Sequence, residues 1–143
     1  MRRYQIVMDT NVLIAALRSQ RGASYKLLSL IDTAKFELNV SVPLLFEYED
    51  VAKRDKQMAG GLSETEINNI LDYICAVAHR RKIFFLWRPY LKDPKDDHVL
   101  ELAVESQCDY IITYNKKDFA GIEAFGIEAI TAKEFLQRIG EIP

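Results

Sequence analysis

The chain predicts a three-layer α/β/α domain, a mainly parallel central sheet lying between two layers of helices. Three observations carry that expectation. Short apolar runs alternate with stretches of helical periodicity almost from end to end, the pattern of successive strand–helix–strand units. Most of those runs have the length and composition of strands buried on both faces, as parallel strands are. The first of them, Ile6-Val7-Met8, stops at Asp9, after which Val12, Leu13, Ala16 and Leu17 recur with helical spacing. In such sheets the carboxyl end of a central strand is where ligands bind. A length of 143 residues and a 49% hydrophobic composition suit one domain, residues 1–143, with a core of its own.

In chain order, Asp9-Thr10-Asn11 opens the first helix, and all three residue types cap helices well. Asp9 therefore either caps or does chemistry. Arg18 to Gly22 is a polar loop, and Ser24 to Ile31 is a second helix through Tyr25, Leu27, Leu28 and Ile31. Phe36 to Val40 alternates like a half-buried strand. Ser41-Val42-Pro43 then supplies a cap and an early proline for a third helix, to about Lys53. Met58 to Leu62 is a loop around Gly60-Gly61. Ser63-Glu64-Thr65-Glu66 is a capping box opening a long helix through Ile67, Ile70, Leu71, Ile74 and Val77, ending near His79. Lys82 to Trp87 is dense enough in apolar residues for a buried strand. Asp93 caps and Pro94 begins the next helix, whose body is Val99, Leu100, Leu102, Ala103 and Val104. Tyr110 to Thr113 and Phe125 to Ile130 are strands, and Thr131-Ala132-Lys133-Glu134 is the capping box of a last helix.

Composition excludes several classes of function. Nineteen basic residues against 21 acidic ones leave a net charge of −2, so nucleic acid could be bound only through a local patch. Cys75 and Cys108 make no CxxC, which rules out a zinc framework and a disulfide scaffold and fits a reducing cytoplasm. Arg2 and Arg3 precede an apolar run that Asp9 interrupts, so neither a signal peptide nor a membrane span is expected. No GxxxxGK[ST], GxGxxG or GxSxG occurs. His79 near a helix end reads as a dipole or surface residue, and His98 as a solvated residue on the outer side of its helix.

Carboxylates are the remaining candidates for chemistry. At about 100° per residue, Val99, Leu100, Leu102, Ala103 and Val104 share a helix face centred near Asp96, whereas Asp97, Glu101 and Glu105 point away. An inward ionised Asp costs several kcal/mol unless it is paired or metal-bound. The other reading of Asp96 is a first-turn acid favoured by the helix dipole. On the third helix Leu44, Leu45, Tyr48, Val51 and Ala52 form the apolar stripe, with Glu47 and Glu49 on its two edges, and periodicity does not choose between them. Asp118 follows the strand at Tyr110 to Thr113, so it lies at a strand end like Asp9, or caps a turn. Acids converging on one sheet edge repel each other unless a cation sits among them, and oxygen-only ligands select Mg²⁺ or Mn²⁺ over zinc.

Taken together, VMDTNVLIAAL, SVPLLFEYEDV, DPKDDHVLELAVESQCDYIIT and YNKKDF resemble the PIN-domain nucleases, in particular their VapC-like branch, over nearly the whole chain. The resemblance implies a PIN-like, Rossmann-like fold and carries the family's acids onto Asp9, Glu47, Asp96 and Asp118, favouring Glu47 over Glu49. It matches Thr113 to a threonine at the fourth strand's end and Asn11 to a polar residue that steadies the first Asp. One departure is Asn115, where many members have Asp. The activity implied is cleavage of single-stranded RNA by a metal-activated water, with Mg²⁺ or Mn²⁺ as cofactor. An antitoxin protein and a homodimer or higher oligomer are the implied partners. Lys116, with Lys95, Lys117, Arg18 and Arg21, is placed to guide the phosphate backbone, and Asn11, Thr113, Asn115 and Lys116 are the expected substrate-positioning residues.

Three other classes compete with that reading. A haloacid-dehalogenase-type phosphatase needs a second Asp two residues after Asp9, where this chain has Asn11. A response-regulator receiver needs an acidic cluster at the first strand end, and Val7-Met8-Asp9 offers one acid. A non-catalytic PIN scaffold that binds RNA or a protein is the main alternative, and it would bind metal without turnover.

Overall fold

A computed structural model describes residues 3–54, 61–83 and 90–143 of the chain. Strand β1 is Tyr4–Met8, followed by α1 (Thr10–Arg18), α2 (Ala23–Ser29), β2 (Phe36–Val40), α3 (Val42–Arg54) and α4 (Glu64–Val77). Then come β3 (His79–Arg80), α5 (Asp97–Glu105), β4 (Tyr110–Ile112), β5 (Glu128–Ile130) and α6 (Ala132–Arg138). The five strands form one sheet in the order β3-β2-β1-β4-β5, every pairing parallel. This is the α/β architecture that the alternating pattern predicts.

The order of the strands decides where a site can form. The chain runs outward from β1 to β2 and β3 on one side, then returns to lay β4 and β5 on the other. Connections therefore leave β1 and β4 in opposite directions, and a crevice opens beyond their carboxyl ends. Ile6, Val7 and Met8 are fully buried, as are Ile111 and Ile112 of β4, so the sheet under that crevice is covered on both faces. Each such side chain contributes roughly 1.5–3 kcal/mol by leaving water, which holds the strand ends in a fixed place.

Local signals set most boundaries. Ser63 and Thr131 make reciprocal capping boxes with Glu66 and Glu134, as the sequence predicts. Ser41 Oγ accepts from Leu44 N, which caps α3 just ahead of Pro43.

Four expectations are corrected or bounded. The last strand begins at Glu128, because residues 122–125 form a 3-10 turn closed by Gly126 at φ 74°, a left-handed conformation that ends any extended run at Phe125. The edge strand sits at His79–Arg80, directly after Ala78 turns extended at the end of α4. The strand expected over Lys82 to Trp87 falls mostly outside the described residues, as do residues 58–60 of the expected loop; Lys82 and Ile83 are in no strand. Asn39, on the polar side of the expected half-buried β2, is fully buried, with its amide donating to Gln5 Oε1 at 3.0 Å and to the Ile6 carbonyl at 3.3 Å. Asn39 is thus as buried as Leu38 and Val40 on either side of it, and only Glu37 keeps partial exposure on β2.

Candidate site at the carboxyl ends of the central strands

Asp9 ends β1 and caps α1, and it is only 7% exposed. One carboxylate oxygen accepts from Thr10 N at 2.9 Å and the other from Thr113 Oγ1 at 2.8 Å. Thr113, fully buried one residue past β4, accepts in turn from Asn115 N at 3.0 Å. The two strand ends on either side of the crevice are thus tied through one hydroxyl. Asn11 spans the same gap: its amide donates to Thr113 Oγ1 at 3.4 Å, and its carbonyl oxygen accepts from Tyr114 N at 3.3 Å. Behind Asp9, the hydroxyl of fully buried Tyr48 donates to the Met8 carbonyl. A tyrosine on an apolar stripe has to place its hydroxyl on some acceptor.

Burial pushes the Asp9 carboxyl above its ordinary range; the Thr113 and Thr10 hydrogen bonds act against this, the Glu47 charge adds to it and His98 opposes it. Glu47, from α3, goes the other way. His98 Nε2 lies 3.2 Å from its Oε1 and Thr10 Oγ1 donates to its Oε2, and these contacts outweigh partial burial to lower its carboxyl. The two carboxyls are thus shifted in opposite directions, and burial is the larger cause of the rise at Asp9, ahead of the Glu47 charge. Asp96, at the junction of a 3-10 turn (Pro94–Asp96) with α5, is pushed up to about 6 by burial first and then by the charges of Asp9, Asp118, Asp93 and Glu47. Asp9, Asp118, Asp93 and Glu47 are thus the acids whose charges act on Asp96. Glu49 stands apart in an ion pair with Lys53 at 3.2 Å. Among the described residues, no group of three or more His, Cys, Asp or Glu side chains stands in an arrangement that would hold a metal ion.

Helix α5 departs from the expected wheel. Asp97 and Glu101, placed toward solvent by periodicity, are 1% and 2% exposed. Asp97 Oδ1 accepts from Leu91 N at 2.8 Å and Tyr90 N at 3.3 Å, pinning the segment that leads into the helix. The wheel assumes one buried face, but α5 packs on β1, β2, β4 and α3, so its middle has no solvent side. His98 is corrected for the same reason: it is not solvated but packed on Glu47, its side chain 12% exposed. His79 is exposed, 3.2 Å from Glu37.

Lys116 is half-exposed and ion-paired with Glu134 at 2.5 Å, whose carboxyl is pulled down to about 2, chiefly by that contact. Thr10, Tyr48 and His98 are the residues sequence reasoning missed. Thr10 and Tyr48 had a signal, since each directly adjoins a candidate acid. His98 had none, because its contact depends on how α5 packs against α3.

The sequence matches the family model of the PIN domain over residues 5–117, from the second residue of β1 to one residue short of Asp118. No curated protein matches the chain. Among solved structures, a chain in the crystal structure of VapBC2 from Rickettsia felis bound to a DNA fragment from their promoter is similar in fold. Its TM-score is 0.60 at 15% identity, covering 87% of this chain and 98% of that one. Identity that low speaks for the fold alone; the family model spans most of the sequence, and by it the chain belongs to the PIN-domain family.

Proposed function

We propose that the protein is a metal-dependent endoribonuclease acting on single-stranded RNA in the cytoplasm, the toxin of a toxin–antitoxin pair, with Asp9, Glu47, Asp96 and Asp118 as its acidic site. The observation that carries this reading is the raised Asp96 carboxyl, which burial pushes up first and the charges of Asp9, Asp118, Asp93 and Glu47 push up further. Such repulsion is unfavourable unless a cation offsets it. The donors are all carboxylate oxygens, the chemistry of a Mg²⁺ or Mn²⁺ site. Mg²⁺ is held through one or two carboxylates with water and substrate phosphate completing its shell, so a preformed three-acid cage is not a requirement.

When bound, such an ion supplies an easily deprotonated water and positive charge near the leaving oxygen. The chain's own residues do the rest. Thr113 and Thr10 N hold Asp9 in one orientation, and Thr10 Oγ1 and His98 hold Glu47. Asn11, Thr113 and Asn115 fix the loop after β4 against α1, so a phosphate entering the crevice meets an ordered wall. Lys116 is the positioning base on that loop. The VapBC2 structure, a toxin–antitoxin assembly on DNA, supports an antitoxin partner, and a homodimer or higher oligomer is part of the same proposal.

The test is cleavage of a broad panel of unstructured RNAs in Mg²⁺ or Mn²⁺. EDTA should stop it, Asp96→Asn should abolish it with the fold intact, and Glu105→Gln, exposed on the same helix, should cut normally. The absence of a ready three-acid ligand group among the described residues favours one other reading, a non-catalytic PIN-fold module that binds RNA or protein. Metal and RNA binding without cleavage of any RNA in the panel would decide for it, whereas cleavage that survives Asp96→Asn would overturn the acidic site as assigned.

A further inference from the structure

Tyr114 follows Thr113 directly and so stands one residue from the hydroxyl that holds Asp9. Half of its surface is exposed. Yet the side chain is not free to swing, because its hydroxyl is 2.6 Å from Ser24 Oγ, and Ser24 is 1% exposed. Its backbone N donates to Asn11. The ring is therefore held at both ends, at its root by α1 and at its tip by α2, while half of the residue's surface stays exposed. Tyr4 packs on Tyr110 and Phe135, and Tyr90 on Phe125; Tyr25 and Phe46 are exposed as well, but neither follows a residue that holds Asp9. Among the described residues no aromatic ring or cation covers Tyr114. An exposed tyrosine without such a tether would sample several rotamers, and ordering it would cost binding energy; here the fold has already met that cost.

We infer that the Tyr114 ring is a stacking platform for one unpaired base of the substrate RNA beside the acidic crevice. This rests on the ribonuclease reading above and deepens it, because it gives a physical reason for a single-strand requirement. A base inside a duplex has both faces covered by its neighbours, whereas a splayed base has a face to offer an aromatic ring. Stacking of this kind is tolerant of base identity, since every base has a π-face. Tyr114 therefore selects for strandedness, not for sequence.

The probes are labelled decauridylate and an abasic phosphodiester decamer of equal length, titrated by fluorescence anisotropy in Mn²⁺ into Asp96→Asn protein, which should not cut them. Adding Tyr114→Ala should raise the Kd for decauridylate roughly 5- to 100-fold and leave the abasic Kd unchanged. Tyr114→Phe, which keeps the ring and loses the Ser24 tether, should bind decauridylate more weakly than the parent and more tightly than Tyr114→Ala, because the ring remains but its ordering cost returns. On an RNA the wild type cuts, Tyr114→Ala should act on KM more than on kcat. An unchanged decauridylate Kd overturns the platform and leaves the nuclease reading standing. An equal loss on both oligomers overturns it too, by making Tyr114 a structural residue. If the parent protein binds neither oligomer and the wild type cuts no RNA, platform and nuclease reading fall together.

Discussion

Asp96→Asn should make the metal-free domain more stable at neutral pH. The Asp96 carboxyl is raised from 3.8 to about 6, and at about 1.4 kcal/mol per pH unit that shift corresponds to roughly 3 kcal/mol. The residue is only partly buried, so solvent screening cuts this to about 1.5–2 kcal/mol. Its charge also sits favourably at the amino end of α5, which returns about 0.5 kcal/mol. Asn forfeits no cap bond, because the Asp96 side chain makes none to the helix. A net gain of about 1 kcal/mol remains, or roughly 3 °C in Tm for a domain of this size. The pH dependence has a definite sign. Between about 4 and about 6 the native state binds more protons than the unfolded one, so wild-type stability falls as pH rises through that window. Above it the deficit is complete; at pH 4 the carboxyl is largely neutral and the two proteins should melt together. Thermal melts of both proteins in EDTA at pH 4, 5, 6 and 7.5 read this directly. A variant less stable than wild type at pH 7.5, or a difference that does not move with pH, would refute the electrostatic argument.

Millimolar Mn²⁺ should raise the wild-type Tm, by about 2.7 kcal/mol of stability if it reaches roughly a hundred times its Kd, and Asp9→Asn should shrink that gain; an unmoved melting curve counts against a metal site. Thr113→Val removes the hydroxyl that donates to buried Asp9 and accepts from Asn115 N, and chemical denaturation at pH 7 should show a loss of about 1.5–3 kcal/mol, smaller in acid where Asp9 is neutral. Asp97→Ala strips an acceptor from the Tyr90 and Leu91 amides and should cost about 2–3 kcal/mol, with hydrogen exchange at Leu91 accelerated. Leu91 exchange as slow as in wild type would show that Asp97 does not pin that segment.

Much of the fold was legible because its signals are local. The change of period at Asp9, the two capping boxes and the cap–proline pair at Asp93-Pro94 each depend on a few adjacent residues. Asp9 and Asp96 were placed by the same means, at a strand end and a helix start, whereas Asp118, expected at a strand end, lies on the 3-10 turn Lys116–Phe119 because β4 already stops at Ile112. What stayed hidden depends on residues far apart in sequence. Thr113 reaches Asp9 across 104 positions, and Ser24 reaches Tyr114 across 90. Periodicity left Glu47 and Glu49 level, and only the packing of α3 against α1 and α5 sets one against Thr10 and His98 and leaves the other to Lys53. On α5 the wheel failed outright at Asp97, His98 and Glu101, because it reads which side is most apolar and not how many sides are covered.

The hydrogen bonds divide the four acids into two kinds. Asp9 and Glu47 each have both carboxylate oxygens engaged, Asp9 by Thr10 and Thr113, Glu47 by Thr10 and His98. A carboxylate has about four lone-pair positions, so each retains acceptor capacity while its orientation is fixed. Among the described residues no side-chain hydrogen bond ties down Asp96 or Asp118, and both sit on short 3-10 turns, which are less constrained than α-helix or strand. One pair is held by hydrogen bonds and the other is not. At Asp96 burial and the charges of Asp9, Asp118, Asp93 and Glu47 all disfavour the ionised carboxyl, and a bound cation would offset those charges. In the site we propose, charge neutralisation by a cation is therefore what Asp96 and Asp118 lack and what Asp9 and Glu47 are oriented to share.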